Sequence, residues 1–366
     1  MRSKVLFLFI ILFWACSSEE SYSIINEIPA RSATHEDDIF FLHISDTHGS
    51  SISVLPMVEV LNNSNCDFGI ITGDILPDDY MMNIINSSIK PIFLVSGNHD
   101  AYEGQGQYGF RVNVLNKNTT VSNVFYGDDR SNYYYYDLKK SNKVFRVICL
   151  DQFEIDAVER VGIHEVIMSQ RQIDWFIHVL EGSYSVDGII ILIHEGFGNK
   201  FVGQRDTNNT NKFISCLAST YHNSYDFWGK ANPLMIPDII EAYMTGENII
   251  NQSYSSGSNS LTINVTTKFI GEHTNFIAYF GGHLHWDEVE YLATHRNQLL
   301  VLIAYGGVGT GSKWNDLIKS ESIQDSYNIN YNVVDFHKNI FTIYRLGAKQ
   351  TKSGIIRDSI YFDIFK

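Results

Sequence analysis

Five short blocks of this 366-residue chain carry the side chains best suited to chemistry. They are Asp46-Thr47-His48, Gly73-Asp74, Gly97-Asn98-His99-Asp100, the lone His194, and Gly282-His283-Leu284-His285. Each stands where an apolar run stops, so each would project from the end of a strand. Hydrolysis by two metal ions needs a carboxylate that both ions share, further oxygen and nitrogen donors on each, and room for a water. Asp46, His48, Asp74, Asn98, His194, His283 and His285 supply such a set. Mixed carboxylate, amide and imidazole donors suit two divalent ions of Mn, Fe, Co or Zn without choosing among them.

The elements that must hold these donors alternate in type. Strands are expected at Ile39 to Ser45, Phe68 to Thr72 and Ile92 to Val95, with helices at Val54 to Leu61 and Tyr80 to Ile89 between them. Strands alternating with helices imply parallel pairing, and loops at the carboxyl ends of parallel strands share one rim. Tyr133 to Leu138 and Val144 to Leu150 read as paired strands. Ser169 and Gln172 form a capping-box pattern ahead of a helix whose Ile173, Phe176, Ile177 and Leu180 make one apolar stripe. Gly188 to Ile193 is an apolar strand that delivers His194. Beyond Gly281 the pattern becomes all strand: Val289 to Ala293, Leu299 to Tyr305, Tyr331 to Phe336 and Ile340 to Leu346, the last two joined by a hairpin. Residues 199 to 260, rich in Asn, Ser and Thr, read as an insertion on the site-bearing face, with a helix at Pro237 to Met244.

In their order and spacing, the five blocks resemble the calcineurin-like metallophosphoesterase family over about Ile39 to Asp287. The resemblance implies an α/β sandwich: two mixed β-sheets packed face to face and flanked by helices. It implies that Asp46, His48 and His285 hold one metal, that Asn98, His194 and His283 hold the other, and that Asp74 bridges both. His99 would act outside the metal shell as general acid or transition-state stabiliser. The purple acid phosphatase branch places Gly and Tyr where this chain has His48 and Pro77, so a redox-active iron–tyrosinate site is not expected.

Each block has a bland rival when taken alone. Asp46, Asp74 and Gly97-Asn98 are ordinary turn formers, and a strand-end histidine is commonly structural. Five such coincidences in order outweigh those rivals. His43 reads as packing or support for the donors, and Cys149 as a buried strand thiol. Asp151-Gln152 ends a strand and could reach the same rim. Tyr102, Glu103, Trp228 and Trp286 are candidates to shape a pocket, with packing the simpler role. His164, His178, His222, His273, His295 and His337 have no motif context.

Composition bounds the reading. Hydrophobic residues make up 44% and charged residues 19%, enough apolar content for a sizeable core. Arg2 and Lys4 precede the apolar stretch Val5 to Ala15, which is too short to span a bilayer as a mature helix. The stretch stops at Cys16 and Ser17-Ser18-Glu19-Glu20, and resembles a bacterial lipoprotein signal. The domain reading is a signal at 1–15, a lipidated Cys16 and tether at 16–38, and one catalytic domain at 39–366. Export to the bacterial cell envelope with a lipid anchor in the membrane follows. Without residues 1–15 the chain has 25 basic and 41 acidic residues, a net −16 from the full-length −14, which argues against nucleic-acid partners and for a phosphorylated small-molecule substrate. The expected activity is hydrolysis of phosphate mono- or diesters by metal-activated water. The alternatives are a catalytically silent surface-tethered binding protein on the same fold and a nuclease. A silent descendant should have lost donors, and all seven positions are filled.

Overall fold

The computed structural model describes residues 28, 35–100, 108–154, 168–196, 235–255, 262–283, 288–292, 295, 297–303, 327–347, 350–351, 354–355 and 359–364. The chain opens with β1 (Ile39–Ile44), α1 (Val54–Asn63), β2 (Phe68–Thr72), α2 (Asp79–Asn86) and β3 (Ile92–Val95). β1, β2 and β3 pair in parallel, and every residue of all three is buried. Strands covered on both faces are mostly apolar, which is why these three stand out in the sequence, and the buried His43 and Thr72 within them pair with each other. Then follow α3 (Tyr108–Asn113), β4 (Phe125–Tyr126), β5 (Tyr134–Lys140), β6 (Lys143–Cys149), α4 (Gln170–Glu181), β7 (Gly188–Leu192) and α5 (Met235–Thr245). The remaining elements are β8 (Gln252–Ser255), β9 (Thr262–Val265), β10 (Phe276–Gly281), β11 (Glu288–Tyr291), β12 (Leu299–Leu302), β13 (Asn328–Asp335), β14 (Ile340–Gly347), β15 (Gln350–Thr351), β16 (Gly354–Ile355) and β17 (Ser359–Asp363).

Two mixed sheets form a sandwich. One has the order β17-β14-β13-β1-β2-β3, the other β11-β12-β10-β7-β6-β5-β4. Within the second, β6, β7, β10 and β12 run parallel. Aromatic side chains from the two inner faces fill the space between: Phe41 stacks on Phe68 with ring centroids 4.8 Å apart and meets Phe280 edge-on at 5.2 Å. A second core lies on the other face of the second sheet, where Ile189, Ile191 and Ile193 meet Ile173 and Phe176 of α4 and Ile236, Ile239 and Ile240 of α5. The expected sandwich is therefore the observed fold.

Local differences from the sequence reading have local causes. α2 stops at Asn86 because Ser87 turns its backbone N–H onto the carbonyls of Asn83 and Ile84 and its hydroxyl onto Ile84 O at 2.7 Å. The capping box before α4 is only half built. Ser169 Oγ accepts from Gln172 N at 3.1 Å, but Gln172 is buried and spends its side chain on Asp151 and Glu154. Glu154 takes the vacated role, accepting from Ser169 N at 2.6 Å. Of the stretch at 199–260 expected as an insertion, residues 199–234 and 256–260 lie outside the described residues, while α5 is part of the second core. Among the described residues, no helix is long and apolar enough to cross a membrane.

Candidate metal centre

The donors lie just past the carboxyl ends of β1, β2, β3, β7 and β10. The loop after β1 is zipped to the loop after β2: Asp46 N donates to Gly73 O at 3.1 Å, His48 N to Asp74 O at 2.8 Å, and Gly49 N to Ile75 O at 2.9 Å. To achieve this, Asp46, His48 and Asp74 adopt φ of 52°, 43° and 50°, and His283 one of 67°. Positive φ is unfavourable for these residue types and persists where the surroundings over-determine it, commonly at functional sites. Two glycines allow the close approach. A Cβ on Gly73, whose φ is +94°, would strike the imidazole of His194, and one on Gly282 would strike Ser45 Oγ and Asp46 Oδ2. Asp46 Oδ2 in turn accepts from His283 N at 2.9 Å, tying the two sheets together at the site.

Two groups of donor atoms converge, and they share one residue. Asp46, His48 and Asp74 form the first, and Asp74, His194 and His283 the second, with the ligand atoms in each group all within 4.8 Å of one another. Asp74 Oδ2 lies 3.4 Å from His194 Nε2 and 3.7 Å from His48 Nε2. It is buried and has no hydrogen-bond partner among the described residues, although its sister Oδ1 accepts from His99 N at 2.8 Å. A buried carboxylate oxygen with no donor calls for a cation. Asn98 joins the second group through Oδ1, 3.1 Å from His194 Nε2 and 3.0 Å from His283 Nδ1, with the two imidazole nitrogens 3.3 Å apart. Ligands about 2.1 Å from one ion sit roughly 3.0–3.4 Å from each other, so these atoms have the spacing of a ligand shell. His194 Nδ1 donates to Thr72 O at 2.7 Å, which fixes its tautomer and turns Nε2 to the other donors. The residues present thus fit a pair of metal ions.

The electrostatics agree with that fit. Burial opposes charge on both Asp74 and His194, yet their mutual attraction wins: the Asp74 carboxyl is held far below the usual range and His194 is pushed up to about 10. The negative potential at the site favours positive charge there, which a bound cation would supply.

A family model described as calcineurin-like phosphoesterase matches residues 41–287. The chain belongs to that family. No curated protein matches it in sequence. Among solved structures, a dimetal phosphatase from Danio rerio is similar, with 12% identity, 87% of this chain and 99% of that one covered, and a TM-score of 0.49. A phosphopantetheinyl hydrolase from Mycobacterium tuberculosis shows 11% identity over 74% of this chain and 91% of that one, with a TM-score of 0.42. A 5'-nucleotidase precursor from Thermus thermophilus shows 10% identity over 89% of this chain and 54% of that one, with a TM-score of 0.39.

In this calcineurin-like chain the structure brings Asp46, His48, Asp74, Asn98, His194 and His283 together. His285 lies outside the described residues, as do Cys16, Tyr102, Glu103, His164, His222, Trp228 and Trp286. His99 is exposed, with its ring centroid 5.1 Å from that of His48. His43 supports the donors at one remove. It is buried between the sheets against Phe280 and pairs through Nε2 with Thr72 Oγ1 at 2.9 Å, while Thr72 O holds His194. Burial first, and the charge of Arg345 second, pull His43 down to about 3.

Three supporting residues carry more than sequence reasoning gave them. Asp100 accepts from Ile75 N, Leu76 N and Gly97 N at 2.8–2.9 Å, locking the second and third blocks together. Burial, with the charge of Asp74, pushes its carboxyl up to about 7. Gln152 Oε1 accepts from both His194 N and Glu195 N at 2.7 Å, so Asp151-Gln152 does reach the rim. Glu195, buried beside His283, was missed altogether. Its only sequence signal is a carboxylate directly after a strand-end histidine.

Proposed function

We propose that this protein hydrolyses phosphate esters, monoesters or diesters of a small molecule, at a pair of divalent metal ions. The observation that carries the reading is the sharing of buried Asp74 between two converging groups of donors. Asp46, His48 and His285 would hold one ion with Asp74, and Asn98, His194 and His283 the other. When bound, two such ions bring the pKa of water toward neutrality and neutralise phosphoryl oxygens.

The chain itself contributes orientation and proton transfer. Thr72 O and the Asp74 carboxylate fix the imidazole of His194 on either side. His99 is anchored to Asp74 through its backbone while its side chain stays exposed. It is therefore available to protonate the leaving oxygen, a role that contributes about 10²–10⁴-fold in such reactions. The net negative surface favours a small phosphorylated substrate over a polynucleotide. Export and a lipid anchor at Cys16 form part of this proposal and rest on the N-terminal residues alone.

The test is hydrolysis of an aryl phosphate monoester and diester after loading with Mn²⁺. Turnover by the wild type that disappears in Asp74→Ala supports the reading, and full activity in that variant would sink it. Labelling with radioactive palmitate that is lost in Cys16→Ser checks the anchor.

A further inference from the structure

The two ring nitrogens of His283 face different company. Nδ1 lies among the converging donors, 3.0 Å from Asn98 Oδ1 and 3.3 Å from His194 Nε2. Nε2 lies 3.4 Å from Glu195 Oε1. Glu195 is 1% exposed, and apart from this 3.4 Å contact its Oε1 has no partner among the described residues. Leaving a buried acceptor unused is costly, so this carboxyl needs a reason to be there.

Its placement is also built rather than incidental. Gln152 grips the chain on both sides of the residue: Oε1 accepts from His194 N and Glu195 N, and Nε2 donates to Glu195 O at 2.9 Å. One side chain thereby pins the end of β7. The residue before the pin sends an imidazole into the donor group, and the residue after it sends a carboxyl against an imidazole from β10.

We propose that Glu195 is a positioning residue for His283: it accepts the Nε2–H through Oε1 and so presents the Nδ1 lone pair to the ion shared with Asn98, His194 and Asp74. The proposal rests on the two-metal reading above. His194 is the internal comparison. There a backbone carbonyl, Thr72 O, takes the Nδ1 proton and leaves Nε2 for the ion. The two histidines of one group are thus set as opposite tautomers, one by a carbonyl and the other by a carboxyl. A carboxyl oxygen accepts whether or not its partner oxygen carries a proton, so the role does not depend on the charge of Glu195. Histidine ligands commonly donate their second N–H in this way, and loss of the acceptor lowers metal affinity about 10–100-fold.

The experiment titrates metal-free, full-length protein with Mn²⁺ against a competing chelator. It compares the wild type, Glu195→Met, which keeps the volume without an acceptor, and Glu195→Gln, which keeps an acceptor oxygen. We expect Glu195→Met to lose about 10–100-fold in affinity for one of two ions, with the other unchanged, and Glu195→Gln to recover most of the loss. Wild-type affinity for both ions in Glu195→Met overturns the proposal. The ring nitrogen of His283 that carries the proton is read by long-range ¹H–¹⁵N spectra of the wild type at pH 8, metal-free and loaded with Zn²⁺. The Nε2–H form is expected in both, and an Nδ1–H form overturns the proposal even if Glu195→Met does not fold. Uptake of fewer than two ions by the wild type overturns the two-metal reading separately, and the metal-free spectrum still decides the role of Glu195.

Discussion

The two donor groups that share Asp74 are assembled in different ways. Asp46 and His48 follow β1, Asp74 follows β2, and these strands are parallel neighbours whose loops are zipped by backbone hydrogen bonds. Asn98, His194 and His283 come from β3, β7 and β10, from both sheets, and meet across sequence separations of 96 and 185 residues. His48 is half-buried, whereas His194 and His283 are buried. Asp46, His48 and Asp74 need only one strand pair to come together, although His285, the further donor expected there, follows β10 of the other sheet. The second exists only when the sheets close on each other, and Gln152 and Glu195 hold or face its histidines.

The largest effect should come from the residue that belongs to both groups. Asp74→Ala is expected to cut phosphoesterase activity by roughly 10³-fold or more, since two-metal stabilisation amounts to several kcal/mol, and to reduce Mn²⁺ uptake below two equivalents in a chelator titration. His194→Ala and His48→Ala then separate the groups. Each should leave one ion bound, and the loss of activity should be on the order of 10²-fold or more. Equal uptake of two ions by either variant would break the division into groups. Next comes the closure between sheets. Gly282→Ala puts a methyl against Ser45 and Asp46, and overpacking of this kind costs about 1–3 kcal/mol. The metal-free variant should show a lower Tm than the wild type and weaker binding at the second group before the first.

A smaller effect, visible only on acidification, tests the interior that joins the groups. His43 is held near 3 in the folded protein by burial and by Arg345, against about 6.5 when unfolded. Between those values the unfolded chain binds the extra proton, so this contribution to stability is complete above about pH 6.5 and is lost as pH falls toward 3. By pH 5 about 2 kcal/mol of it has been lost. Urea unfolding of His43→Gln should show a flatter fall in stability between pH 6.5 and 4 than the wild type. An identical slope would mean that His43 is charged in the fold.

Much of the first group was legible from the chain. β2 and β3 fall on the bounds expected from their apolar runs, and β1 ends one residue early, because strands buried on both faces cannot hide a polar residue without a partner. Asp46, His48 and Asp74 stand at the ends of those runs, so strand order alone brought them close. The cap of α4 was only partly legible. Ser169 acts as expected, but Gln172 is drawn inward by Asp151 and replaced by Glu154, neither of which a four-residue pattern can see. Gln152 was noticed for its place at a strand end, without any sign of what it would grip.

By itself, the sequence determined the donors, their order and the strand ends that carry them, because burial periodicity and turn chemistry act over a few residues. The tertiary structure alone decided which donors face one another, which nitrogen of His194 and of His283 is offered, and that a carboxyl from β7 meets an imidazole from β10. Those outcomes depend on distances of about 3 Å between residues far apart in the chain. Such distances are set by the packing of two sheets around large aromatic side chains, a property of the closed sandwich that no local pattern encodes.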